Sequence, residues 1–106
     1  MSVVPDKWIL IKIGGDTPHY RVFAMWSGGF FGSDEWRMNS GVVRVEEDEK
    51  NYFFYGSSGS CYTCFKEAYG VTSYGYGIAY SYEDGERFSV IEDKPEDIMN
   101  MDWIIS

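Results

Sequence analysis

The chain has 106 residues, enough for one domain with one modest core and too few for two. Its 44% hydrophobic and 19% aromatic content excludes a disordered chain. The 12 glycines, 20 aromatics and single leucine, Leu10, favour strands and turns over a helical bundle. The net charge of −8 is uneven: residues 1–82 hold seven Lys/Arg against nine Asp/Glu, whereas residues 83–106 hold two against eight. An acidic C-terminal segment on a nearly neutral body disfavours direct binding to a nucleic-acid backbone.

Lys7–Ile13 alternates, with Ile9, Ile11 and Ile13 on one face and Trp8 and Leu10 on the other. The turn cluster GGDTP separates it from a second strand, His19–Trp26. There Tyr20, Val22, Ala24 and Trp26 share one face, and Arg21, Phe23 and Met25 the other. The pair reads as an antiparallel hairpin with a five-residue loop. SGGFFGSD, 27–34, reads as a bulge or wide loop. Extended structure resumes over 36–46, and the charged EEDEK run makes a solvent turn. Asn51–Gly56 and 60–65 read as strands flanking a serine–glycine turn.

A short helical turn over 65–69, stopped by Gly70, fits the next segment. Residues 78–82 read as a strand, Asp84–Gly85 as a hairpin turn, and 87–91 as its partner strand. Asp93 is placed to cap a short helix with Pro95 in its first turn; Ile98, Met101 and Trp103 form its apolar side. The expected fold class is therefore mainly β: a small antiparallel curved sheet or barrel with one short C-terminal helix. A β-sandwich is the alternative. The acidic segment 83–106 belongs to the same single domain.

No apolar run approaches the ~20 residues needed to cross a bilayer. The N-terminus lacks the basic n-region and cleavage site of a signal peptide. A soluble, intracellular protein is expected. Cys61 and Cys64 are too few for a disulfide scaffold. With His19 they fall short of four zinc ligands, and a separation of three in a strand puts them on opposite faces. They read as ordinary strand thiols, at least one of them buried. No metal and no cofactor is called for.

His19, the sole histidine, follows Pro18 at a strand start and has no triad partners placed beside it. Asp34 reads as a turn residue. Two constellations remain. MWSGGFFGSDEWRMNSG gathers Trp26, Phe30, Phe31 and Trp36 as stacking faces, with Arg37, Asn39 and Ser40 as polar readers. GSSGS offers Ser57, Ser58, Ser60 and its backbone amides to an anion or polar ligand. Together these are the parts of a nucleotide pocket; equally, they are the parts of a β-corner and a tight hairpin.

The run HYRVFAMWSGGFFGSDEWRMNSGVVRVEED, followed by NYFFYGSSGSCYTCFKEAYG, resembles small uncharacterised proteins encoded by bacteriophages and prophages. The shared elements are Trp-x-Gly-Gly, Trp-Arg-x-Asn-Ser-Gly, an acidic turn and Ser-Gly-Ser-x-Tyr, across about residues 19–70. The resemblance implies a viral accessory protein in the host cytoplasm and transfers no activity.

Two binding functions follow as expectations, with an enzyme third for want of a base–nucleophile pair. One is a host-defence antagonist that sequesters a nucleotide-type small molecule through Trp26, Trp36, Arg37, Asn39, Ser40, Ser57, Ser58 and Ser60. The other is a protein inhibitor of the anti-CRISPR or DNA-mimic kind. It would engage a basic host protein through Glu46, Glu47, Asp48, Glu49, Glu92, Asp93, Glu96 and Asp97. Exposed aromatics on a small barrel also suit a homodimer.

Overall fold

The computed structural model describes residues 2–15, 18–26, 35–81, 88–101 and 103. Its strands are β1 (Ser2–Val3), β2 (Lys7–Ile13), β3 (His19–Trp26), β4 (Glu35–Met38), β5 (Val42–Glu47), β6 (Asn51–Gly56), β7 (Cys61–Phe65) and β8 (Phe88–Ile91). A single α-helix, α1, covers Ser73–Ser81, and 3-10 turns lie at Lys66–Ala68 and Ile98–Asn100. Two four-stranded sheets result. One runs β1-β7-β6-β5 and the other β4-β3-β2-β8. All pairings are antiparallel except the short β1–β7 pair.

The β2–β3 hairpin forms as its alternation requires, in register from Lys7↔Met25 to Ile13↔His19. Both faces of β2 are buried. Trp8 and Leu10 enter a core shared with Val42, Phe54, Tyr62 and Cys64 of the facing sheet. Ile9 and Ile11 enter a second cluster with Phe23 and Ala79, against α1. A strand covered on both sides reads as a continuous apolar run, and KWILIKI is one.

Trp8 is the hinge of the packing. It is fully buried and its ring meets Phe54 at 5.3 Å and Tyr69 at 4.8 Å. Its Nε1 donates to the Phe65 carbonyl at 2.7 Å, so the indole is satisfied as well as covered. Burying a tryptophan of this kind contributes about 4–6 kcal/mol of transfer free energy.

Three readings of the sequence are corrected. The extended run over 36–46 is broken at Asn39–Ser40–Gly41, where the chain leaves β4 in one sheet and enters β5 in the other. Gly41 has φ 133°, a conformation open to glycine and strained for other residues. Residues 78–81 are helical, not a strand. Gly75 and Ala79, both buried, let α1 lie close to the sheet, and that packing overrides the weak helix propensity of SYGYGIAYS. The strand β8 accordingly pairs with β2, Leu10↔Ile91 to Ile13↔Phe88, and not with residues 78–81. Third, Asp93 caps no helix. Among the described residues after β8 the only helical element is the 3-10 turn at 98–100, with Asp97 at its N-cap position and no side-chain cap bond.

The apolar side expected of the C-terminal segment is present. Ile98 is buried, and Trp103 packs edge-on against Tyr20 and Phe54 while donating from Nε1 to the Ile98 carbonyl. Asp34, Phe30, Phe31 and the Asp84–Gly85 turn lie outside the described residues. No helix among the described residues is long and apolar enough to cross a membrane.

Candidate functional site

The site forms where β4 passes to β5. The 39–41 crossover lies beside the β6–β7 turn because Ser57 N–H donates to the Gly41 carbonyl at 2.9 Å, extending the β5–β6 ladder past its end. That turn is tight: Gly56 N–H donates to Ser60 O at 2.8 Å, and Gly59, at φ 90°, closes it with an N–H bond to Gly56 O. The four hydroxyls converge. Ser57 Oγ donates to Ser40 Oγ at 2.9 Å, Ser40 Oγ donates to Ser58 Oγ at 3.2 Å, and Ser58 and Ser60 hydroxyls are 3.4 Å apart. Ser58 N–H also donates to Ser40 Oγ at 3.0 Å. Four hydroxyls sharing three contacts leave one hydrogen, on Ser58 or Ser60, for an outside acceptor.

Against this cluster opens a cleft of about 250 Å³ lined by His19, Arg21, Ser40, Gly41, Val42, Val43 and Ser57. His19 and Arg21 come from the start of β3, two residues apart and so on one face. Val42 and Val43 are consecutive yet both line the cleft. The β5–β6 register slips between Val42 and Arg44, a bulge that re-aims Val43. The lining thus combines one guanidinium, one imidazole, two serine hydroxyls and an aliphatic wall. Arg21 Nε donates to His19 Nε2 at 3.0 Å.

Asn39 is almost completely buried beside the cluster. Its Oδ1 accepts from Val22 N–H at 2.9 Å, and its own N–H donates to Val22 O at 3.1 Å. This double bond to β3 anchors the crossover. Asn39 Nδ2 makes no hydrogen bond among the described residues.

The sequence-derived ligand set is therefore split. Ser40, Ser57, Ser58 and Ser60 come together, with Asn39 behind them. Trp26, Trp36 and Arg37 do not line the cleft. Trp26 packs on the inter-sheet core and donates from Nε1 to the Val4 carbonyl at 2.8 Å. Trp36 lies parallel to Phe23 at 5.3 Å in the cluster under α1. Arg37, opposite Ala24 in the β3–β4 register, is exposed, and its charge acts on the Tyr62 phenol. The residues missed by sequence reasoning are His19 and Arg21 as a pair, and the two valines. A cation and an imidazole at i and i+2 at a strand start was the available signal.

The acidic residues of the other reading gather at another end. Glu47 pairs with Lys66 Nζ at 2.7 Å, and Lys94 Nζ reaches the Lys66 carbonyl at 3.1 Å, linking the β5–β6 turn to the segment after β8. Several of these acids already have partners. Glu46 lies 3.7 Å from Arg44. Asp48 accepts from Lys50 N–H and Asn51 N–H, which hold its carboxyl below the usual range. Glu92 accepts from Tyr80, and Asp97 from Asn100. Glu49, Asp93 and Glu96 are exposed. A hollow of about 310 Å³ beside them is lined by Glu49, Lys50, Phe65, Lys66 and Glu67, whose charges of opposite sign largely cancel.

Cys61 and Cys64 are free thiols on opposite faces of β7; Cys64 is buried, and burial pushes its thiol well up. Among the described residues no group of three or more His, Cys, Asp or Glu is placed to hold a metal ion. No family model, curated protein or solved structure matches the chain.

Proposed function

We propose that the chain is a non-enzymatic, phage-type accessory protein that sequesters a nucleotide-type small molecule in the host cytoplasm and so blunts a host defence. Its ligand site is the cleft at the β4–β5 crossover. One observation carries this reading. Three parts of the chain far apart in sequence, at 19–21, 40–43 and Ser57, supply a cation, hydroxyls and an aliphatic wall to one concave surface. Such a mixture suits a molecule with an anionic end and an apolar or planar body. The viral part of the reading rests on the resemblance of residues 19–70 to phage-encoded proteins.

A thermal-shift panel of mononucleotides and cyclic nucleotides tests it. A ligand at about one hundred times its Kd stabilises by about 2.7 kcal/mol, which raises the melting temperature by about 10 °C for a domain of this size. The Ser40→Ala/Ser57→Ala double variant should lose most of that rise. A flat response across the panel contradicts the proposal.

A second reading keeps the acidic surface as the working face, in the manner of an anti-CRISPR or DNA mimic. What favours it is the Lys66–Lys94 link, which brings the two acidic segments to one end of the molecule. It requires salt-sensitive binding to a basic protein, lost on neutralising Glu49, Asp93 and Glu96.

A further inference from the structure

We propose that Arg21 is the group that receives the ligand's anionic oxygens, and that His19 positions it for that role; this rests on the cleft being the ligand site. The argument begins with what holds the guanidinium. Arginine on a protein surface commonly meets a carboxylate, which fixes the fork but cancels its charge. Arg21 makes no ion pair among the described residues. Its Nε–H goes instead to His19 Nε2 at 3.0 Å. To accept there, the imidazole must be neutral with its proton on Nδ1. His19 therefore fixes the guanidinium plane without neutralising it. The two terminal NH₂ groups meet no carboxylate among the described residues, at the edge of a cleft that Arg21 lines.

The imidazole is itself placed by the crossover. A Cβ on Gly41 would lie 3.1 Å from His19 Cδ2, and Gly41 sits at φ 133°. A glycine at 41 thus gives the ring its seat, the ring orients Arg21, and the same Gly41 carbonyl holds Ser57. Glycine, histidine, arginine and serine form one connected support for an anion. The aliphatic wall of Val42 and Val43 faces the body of the ligand.

Size and charge then narrow the class. A cleft of about 250 Å³ is smaller than the roughly 300–1,000 Å³ of drug-sized pockets, and it carries a single permanent cation. It suits one phosphate monoester with part of the body that carries it, the remainder of a mononucleotide lying over the open mouth. Dinucleotides and cyclic oligonucleotides are too large and too highly charged for it.

Because His19 is the chain's only histidine, its imidazole is a resolved NMR probe, and the Arg21 Nε–H is a second one hydrogen-bonded to it. Inorganic phosphate, adenosine 5′-monophosphate and adenosine are titrated in turn. Both probes should move saturably with the two anions and stay still with adenosine. Arg21→Gln should weaken binding of the monophosphate at least tenfold, and Arg21→Lys, with charge but no fork, by an intermediate amount. His19→Phe should weaken it several-fold. His19→Gln, whose Oε1 can accept the Nε–H, should recover most of that loss, a rescue that a packing role for His19 does not predict. Near-UV circular dichroism checks that each variant is folded.

The inference is overturned if neither anion moves the probes, or if Arg21→Gln binds as tightly as the wild-type chain. It also falls, with the ligand-cleft reading left standing, if nucleotides raise the melting temperature while Arg21 and His19 stay silent. If phosphate binds at Arg21 and no nucleotide does, Arg21's role holds and the nucleotide reading fails.

Discussion

Tyr69 joins three parts of the fold through one oxygen. Its hydroxyl accepts from Leu10 N–H at 3.1 Å and donates to the Ile91 carbonyl at 2.6 Å, while its ring lies edge-on to Trp8. Tyr69→Phe keeps the ring and leaves two backbone groups without that partner. Unsatisfied buried groups of this kind cost about 1–3 kcal/mol, so urea denaturation should show a loss in that range. Burial also pushes the Tyr69 phenol above its ordinary value of 10.0, and the Cys64 thiol above its ordinary 9.0. In both cases the unfolded chain ionises first. These two groups thus leave stability unchanged well below pH 9 and lower it as the pH climbs through 9 and 10, by up to about 1.4 kcal/mol per pH unit per group. Tyr69→Phe and Cys64→Val should each flatten that fall. The cleft follows the same local logic: a serine's position relative to its neighbours is set by backbone bonds that no composition reveals. Ser57, Ser58 and Ser60 were legible as a polar loop because glycines flank them. Arg21 was not, because a cation on an amphipathic strand ordinarily faces water.

The elements differ in how plainly the sequence declares them. The β2–β3 hairpin was legible because two alternating runs face each other across a Gly/Pro turn. That β2 is covered on both sides was not drawn, although apolar residues at successive positions 8–11 are its signature. The helix α1 was illegible for a physical reason: two glycines and three aromatics are poor helix formers, and the close fit to β2, β3 and β8 selects the helix. The fit makes a paired prediction. At Gly77 nothing lies within 4 Å of an added Cβ, so Gly77→Ala should stabilise by about 0.5–1 kcal/mol. At Gly75 an added Cβ would meet Val71 Cβ at 2.9 Å and Met25 Sδ at 2.6 Å. The same substitution there gains the same propensity and should still destabilise by about 1–3 kcal/mol through overpacking. Thermal melts of the two variants should shift in opposite directions. Equal shifts would mean that α1 does not pack as described. The 39–41 break was hidden because WRMNSGVVRVEE reads as one β-rich run; only Gly41 hinted that the chain changes sheets.

For the molecule as a whole, the fold class was legible and its layering was not. Aromatic and glycine content sets strands against helices, but whether a small β-rich chain closes into a barrel depends on which strands pair at long range. Here β8 returns to β2 and β1 joins β7, giving two sheets with α1 over one of them. That arrangement separates the charges. The acidic segments 46–49 and 92–97 are linked through Lys66, which pairs with Glu47 and accepts from Lys94 at its carbonyl, while Arg21 lines the cleft at the crossover. The central claim is that this cleft, and not the acidic end, is the working surface. Mapping backbone amide shifts of the full chain during titration with adenosine and guanosine 5′-monophosphates tests it most directly. The account predicts saturable shifts concentrated at residues 19–21, 40–43 and 57–60. Shifts centred on 46–49 and 92–97, or none with either nucleotide, would contradict it.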